Sequence, residues 1–237
     1  MENSTYILTT SQRALRQRLE VISNNIANMN TPGFKADRAT FRDVLAKTSP
    51  GGREYYTQTQ GTFTDFREGA MTPTANQFDV ALGQDGFLVV DTPAGERYTR
   101  SGRLQLNADR QLVTASGNAV QGQGGPITIP EGTSQVLINK DGSITANEQN
   151  IGRLRVVRFE DNAALQKTYG NMYVAAADPV EMENPNVLQG MLESSNVQAI
   201  AEVTEMMSVL RSYQSVSKTV QKEDGRIKKM IEAYTKK

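Results

Sequence analysis

VQAIAEVTEMMSVLRSYQSVSKTVQKEDGRIKKMIEAYTKK, Val197 to Lys237, is the stretch whose reading decides the fold. Its apolar positions Ala199, Val203, Met206, Leu210, Tyr213, Val220, Ile227, Ile231 and Tyr234 follow a four-three alternation, with polar Ser217 and Asp224 filling two places in the series. That spacing draws one narrow seam on an α-helix, the pattern of a coiled coil. Ser195, followed three residues later by Gln198, reads as a capping box. No proline interrupts the run, and Gly225 is its one glycine. A helix of about forty residues is about 60 Å long, too long for one small domain to pack, so it needs a partner along its length.

The partner is legible at the other end. Leu8, Leu15, Leu19, Ile22, Ile26 and Met29 keep the same rhythm, with Gln12 at one stripe position. Thr31-Pro32-Gly33 stops this first helix, expected over Ser4–Met29, because proline disfavours helix in the residue before it. The two helices either pair within one chain or pack against copies in other subunits. Both readings stand at this point.

Composition narrows the function classes. The 237 residues carry 26 Lys and Arg against 26 Asp and Glu, so the whole chain offers no net field for nucleic acid or an anionic membrane. It has no cysteine and no histidine. Disulfides, zinc sites built on His or Cys, and Ser-His-Asp or Cys-His catalysis are therefore excluded. Met1–Thr10 lacks the basic-then-apolar pattern of a secretory signal, and no run of apolar residues is long enough to span a membrane.

Between the helices the period changes. Ala36–Thr48 is read as one short helix presenting Phe41, Val44 and Leu45, broken by Ser49-Pro-Gly-Gly52. Glu54–Thr74, polar and rich in threonine, is read as an extended linker holding at most one hairpin. From Asn76 to Ala177 short strands alternate with Gly, Asn and Asp turns: Phe78–Leu82 turning at Gly83–Gly86 into Phe87–Val90, Leu104–Leu106 into Leu112–Val113, and Val136–Ile138 into Ile144. Ile127–Ile129, Leu154–Phe159 and Met172–Ala175 add further strands. This is the pattern of an antiparallel all-β domain. The expected fold class is α+β, with long N- and C-terminal helices paired as a coiled-coil-like stalk and the β domain inserted. The expected divisions are 1–34 for the N-terminal helix, 35–75 for the linker with its short helix, 76–190 for the β domain and 191–237 for the C-terminal helix.

No chemistry-bearing constellation survives inspection. Gly122-Gln-Gly-Gly125 lacks the GK[ST] ending and the following helix of a phosphate loop. Asp141-Gly142 lacks the neighbouring carboxylates of a calcium loop and reads as a hairpin turn. Asp79, Asp85, Asp91 and Glu96 are not set at any defined separation for acid–base work. Arg97, Arg100 and Arg103, near Tyr98, read as a solvated strand face. No catalytic, cofactor or metal site is expected, and no nucleic acid or small-molecule substrate.

The residues from Val21 to Lys35 carry a more specific signal. Asn24, Asn25, Asn28 and Asn30 crowd a helix end, where asparagine is a mediocre helix former. Either they cap the helix end in the ordinary way, or their amides are wanted for hydrogen bonds, to a neighbouring chain or in the turn that follows; both readings stand here. With Ala27, Thr31, Gly33, Phe34 and Lys35 they make a stretch that closely resembles the signature of the flagellar basal-body rod protein family, the rod and hook proteins of the bacterial flagellum. Met1–Ser4 is similar to the proximal-rod members. Asn76–Phe87, Tyr98–Gly102, Leu106–Asp109 and Leu188–Val197 resemble other blocks of that family. The resemblance implies a structural subunit of the periplasmic rod that transmits torque. It implies other rod proteins, copies of itself and the flagellar type III export apparatus as partners, and export without a cleaved signal. The seam residues Leu8, Leu15, Leu19, Ile22, Ile26, Met29, Val203, Met206, Leu210, Tyr213, Val220 and Ile227 would then form the assembly interface. A distal-rod or hook subunit, and a cell-surface binding module on a coiled-coil stalk, are the alternatives.

Overall fold

The computed structural model describes residues 2–48, 52–83, 85–133 and 135–235. Ser49, Pro50 and Gly51 of the expected breaker Ser49–Gly52, the turn residue Gln84 and the last two lysines lie outside the described residues. The chain folds as two compact units: residues 1–27, 37–63 and 198–237 form a helical unit, and residues 28–36 and 64–197 a β unit.

In the helical unit, α1 spans Glu2–Ala27 and α2 spans Ala199–Thr235. At 37 residues, α2 is about 55 Å long. Its start differs from the expected capping box: Gln198 caps through its backbone carbonyl, which accepts from Glu202 N, while Ser195 Oγ accepts from Val197 N in a local turn. The short helix expected over Ala36–Thr48 does not form. That segment is a strand, β1 (Asp37–Thr48), paired with β2 (Gly52–Thr64). The reason is visible in burial. Asp37, Ala39 and Phe41 are half-buried while Arg38, Thr40 and Arg42 are exposed, a period of two. A short run with Phe41 and Val44 also fits a helical spacing, so three apolar residues did not discriminate.

The β unit is antiparallel throughout its named pairings. Its largest sheet runs, in spatial order, through residues 165–168, 172–175, 95–99, 87–92, 119–122, 112–114 and 104–106. Strand 87–92 also pairs with 156–158, and a separate three-stranded sheet joins 136–138, 143–146 and 149–153. The expected hairpins 104–106 to 112–114 and 136–138 to 143–146 are present. The third is not: Val80–Leu82 pairs with Val187–Gln189, and Phe87–Thr92 turns back on Gly95–Thr99. A continuous apolar run explains this. Leu88 and Val90 enter one core with Val80, Leu112 and Val156, while Phe87 and Val89 enter a second with Tyr98, Phe159 and Tyr173. A strand buried on both faces loses the alternation that would mark its partner.

Asn28–Ala36, the heart of the asparagine-rich stretch, belongs to the β unit. Gly33 has φ +67°, and its amide donates to Glu193 O at 2.7 Å. A Cβ here would lie 2.5 Å from the Arg100 carbonyl carbon. Gly33→Ala therefore combines left-handed strain with a backbone clash. It is expected to destabilise the β unit by roughly 1–3 kcal/mol or more, read as a lowered urea midpoint.

Candidate assembly interface and buried ion cluster

Three features of the sequence meet inside the β unit. Lys35 closes the Asn24–Lys35 stretch, Arg100 lies in Tyr98–Gly102, and Glu193 lies in Leu188–Val197. Lys35 Nζ sits 2.6 Å from Glu193 Oε1, and Arg100 Nε 3.1 Å from Glu193 Oε2. The Lys35 and Glu193 side chains are each 1% exposed. Glu193 Oε1 also accepts from Gly69 N at 2.9 Å, Lys35 Nζ donates to Arg67 O at 2.8 Å, and Arg100 donates to Gly86 O. Burial holds the Lys35 ammonium below its ordinary pKa, against the pull of Glu193. Around it, Lys167 Nζ lies 3.7 Å from the Phe34 ring centroid and donates to Lys35 O, Asn171 donates to Pro32 O, and Asn196 Oδ1 accepts from Ala36 N. The signature loop is thus tied down at successive residues. Arg100 is buried, not part of a solvated face as its alternating strand suggested.

The candidate acids serve the fold. Asp79 accepts from Asn76 Nδ2 at 3.0 Å. Asp141 Oδ1 accepts from Ser143 N and Oγ, which lowers its pKa and shapes the hairpin turn. Gly122–Gly125 turns between paired strands.

In the helical unit, α1 and α2 pack against each other. Gln12 Nε2 donates to Tyr213 OH at 3.3 Å, Arg18 pairs with Glu205 at 2.7 Å, and Asn25 Nδ2 donates to Glu202 Oε2 at 3.3 Å. The α2 numbers fall as the α1 numbers rise, so the helices are antiparallel. The stripe covered on α2 is Ala199, Glu202, Met206, Val209, Tyr213, Val216, Val220, Glu223, Ile227 and Met230. It shares Ala199, Met206, Tyr213, Val220 and Ile227 with the expected seam. Its alternate positions fall one residue earlier, so that Val209 is buried and Leu210 exposed. Val203, Leu210 and Ile231 face outward, as do Ile200 and Met207. On α1, Ile22 is buried, Leu8, Leu15, Leu19 and Ile26 are half-buried, and Met29 lies beyond the helix and is exposed.

Of the asparagines, Asn25 carries the clearest role. Its side-chain amide brackets the Asp37 backbone, Nδ2 donating to Asp37 O at 2.8 Å and Oδ1 accepting from Asp37 N at 2.9 Å. It holds the first residue of β1 against α1. Asn28 accepts from Thr31 in the turn after the helix. Asn25→Ala leaves the part-buried backbone groups of Asp37 without this amide and is expected to cost about 1–3 kcal/mol in thermal denaturation followed by helical ellipticity.

Paired terminal helices and a β unit whose ionic groups bind each other, rather than facing a cleft, define a structural building block. Comparison with known proteins gives the same class. Residues 6–35 match the model described as flagella basal body rod protein, 81–146 that of the flagellar hook protein FlgE/F/G D1 domain, and 188–233 that of the flagellar basal body rod FlgEFG protein C-terminal region. The chain is 36% identical over 225 residues to the flagellar basal-body rod protein FlgF of Caulobacter vibrioides, covering 92% of each chain. It is 32% identical to FlgF of Rhizobium meliloti and 30% identical to the flagellar basal-body rod protein FlgG of Bacillus subtilis, covering 98% of each chain in both cases. The chain belongs to the flagellar basal-body rod protein family.

Proposed function

We propose that this chain is a FlgF-like structural subunit of the bacterial flagellar rod, working beside other rod proteins and copies of itself. The observation that carries the reading is the helical unit. Its two helices already cover one seam between them, yet α2 keeps a second apolar stripe, Ile200, Val203, Met207 and Leu210, turned outward. The three-four spacing of the stripe covered on α2 supports a coiled-coil-like stalk. In the rod, α1 and α2 belong to the helical core and the β unit to the outer domain. Such a subunit transmits torque mechanically and has no catalytic centre. Family membership supports delivery by the flagellar type III export apparatus without a cleaved signal.

The test is cryo-electron reconstruction of basal bodies from cells producing this chain. The expected result is its β unit traced within rod density in the periplasm. Basal bodies complete without the chain, or a closed small oligomer at the cell surface, would overturn the reading.

A further inference from the structure

The chain passes between the helical and β units four times, at 27/28, 36/37, 63/64 and 197/198. On the β-unit side, the residues beside three of these crossings are bound to one another, and Asn196 is the hub. Its Oδ1 accepts from Ala36 N at 2.8 Å, its Nδ2 donates to Asp65 O at 2.8 Å and to Arg67 O at 3.0 Å, and its backbone N donates to Phe34 O. Asp65 N donates to Ala36 O at 2.8 Å and closes the ring. The ion cluster lies beside it. Lys35 Nζ reaches the same Arg67 carbonyl at 2.8 Å, and Glu193 Oε1 binds both Lys35 and Gly69 N. Gly33 N donates to Glu193 O, and Ser194 N to Ala70 O. Each of these bonds joins two different segments out of 33–36, 65–70 and 193–196, and all three segments belong to the β unit.

Two observations say how such a collar behaves. Its ties are polar, whereas the apolar cores are built without it. Both buried clusters draw their members from residues 80–187, and neither includes Phe34 or Leu192, although both side chains are buried. Opening short of global unfolding is drawn from regions with few buried apolar contacts. The second observation is ionic. If segment 193–196 lifts alone, Lys35 loses its carboxylate in a site where its side chain is 1% exposed. A half-open collar therefore strands a buried charge, while a fully open one returns both partners to water. The intermediate positions are the costly ones, so the collar has two states.

We propose that segments 33–36, 65–70 and 193–196 form a clasp that opens and closes in one step, separately from the two apolar cores. Closed, it gathers three crossings at Asn196, so that tension along one is shared with the others. Open, it leaves three independent tethers on a β unit whose cores are intact. The clasp is a device within one chain and does not depend on the rod reading.

The test is amide hydrogen exchange, read by nuclear magnetic resonance on the purified full-length chain in a series of urea concentrations. The amides of Gly33, Gly69 and Ser194 are expected to open with one free energy and one urea slope. Both values should be smaller than those of Leu112 and Ile129, whose amides donate to Ile127 O and Arg110 O. Asn196→Ala removes the three side-chain bonds of the hub and touches none of the bonds made by Gly33 N, Gly69 N and Ser194 N. These three amides are expected to exchange faster by one common factor, about tenfold or more. Unrelated opening free energies at Gly33, Gly69 and Ser194 would overturn the clasp, as would a response to Asn196→Ala confined to Ala36. Exchange of the three at the same free energy and slope as Leu112 and Ile129 would also overturn it, by showing that the collar opens only with the cores. Where Asn196→Ala does not fold, the wild-type urea series decides by itself.

Discussion

Glu193→Gln is expected to melt the β unit at much lower temperature than wild type, with a loss of about 3–5 kcal/mol. The substitution keeps the size, removes the charge and turns one acceptor oxygen into an NH2 that faces the donors around it. Lys35 and Arg100 then remain as cations in a site where Lys35 is 1% and Arg100 2% exposed at the side chain. Another anion beside Arg100, Glu68, sits 3.9 Å away and is half exposed. Stripping one partner from a buried ion group costs far more than the intact pair contributes, because desolvation was already incurred. A Lys35→Met change made together with Glu193→Gln removes one of the stranded cations. It is expected to restore part of the loss, giving a favourable coupling in a double-mutant cycle. Chemical denaturation of the four proteins, followed by far-ultraviolet circular dichroism, measures it. Full additivity would show that Lys35 and Glu193 do not act together.

The sequence made some of this legible and hid the rest for identifiable reasons. Period alone marked α1, α2 and the antiparallel character of the β unit, since both helices are long and the Asn107–Arg110 and Asn139–Gly142 turns carry their own chemistry. It misplaced β1, where Phe41, Val44 and Leu45 fit a helical face while the strand's own alternation runs through Asp37, Ala39 and Phe41. It paired Phe78–Leu82 with Phe87–Val90 because they are neighbours in sequence, while the true partner of Val80–Leu82 lies at Val187–Gln189. No local signal reports a pairing over a hundred residues away. The ion cluster was hidden in the same way. Its three members lie in blocks that were noticed one by one, and a buried lysine looks like any other until its carboxylate is found 158 residues on. A candidate set of interface residues was readable, but not which half of it is spent within the chain: shifting alternate positions by one residue moves Leu210 from seam to surface.

That shift separates Ile22 from Leu210, and the separation can be measured. Ile22→Asp places a carboxylate at a position 3% exposed between α1 and its neighbours. It loses the packing of a buried aliphatic side chain, about 2–5 kcal/mol, and adds the cost of burying a charge. The helical unit of the purified protein should lose cooperative thermal melting, while the β unit, with its own two cores, keeps its strand signal. Leu210→Asp meets solvent at a position 37% exposed. Surface substitutions of this kind stay within about 0.5 kcal/mol, so the isolated chain should melt as wild type does. In the rod the same aspartate would stand in the outward stripe at every equivalent contact, with no water to solvate it. Both variants are therefore expected to leave cells without flagella, for different reasons: one lacks a folded helical unit, the other a surface on which the next copy can sit. Circular dichroism separates the two causes, and electron microscopy of basal bodies reads the outcome. Normal rods built from Leu210→Asp protein would show that the outward stripe of α2 is not an assembly surface. A Leu210→Asp chain that melts early would show instead that Leu210 is packed within the monomer.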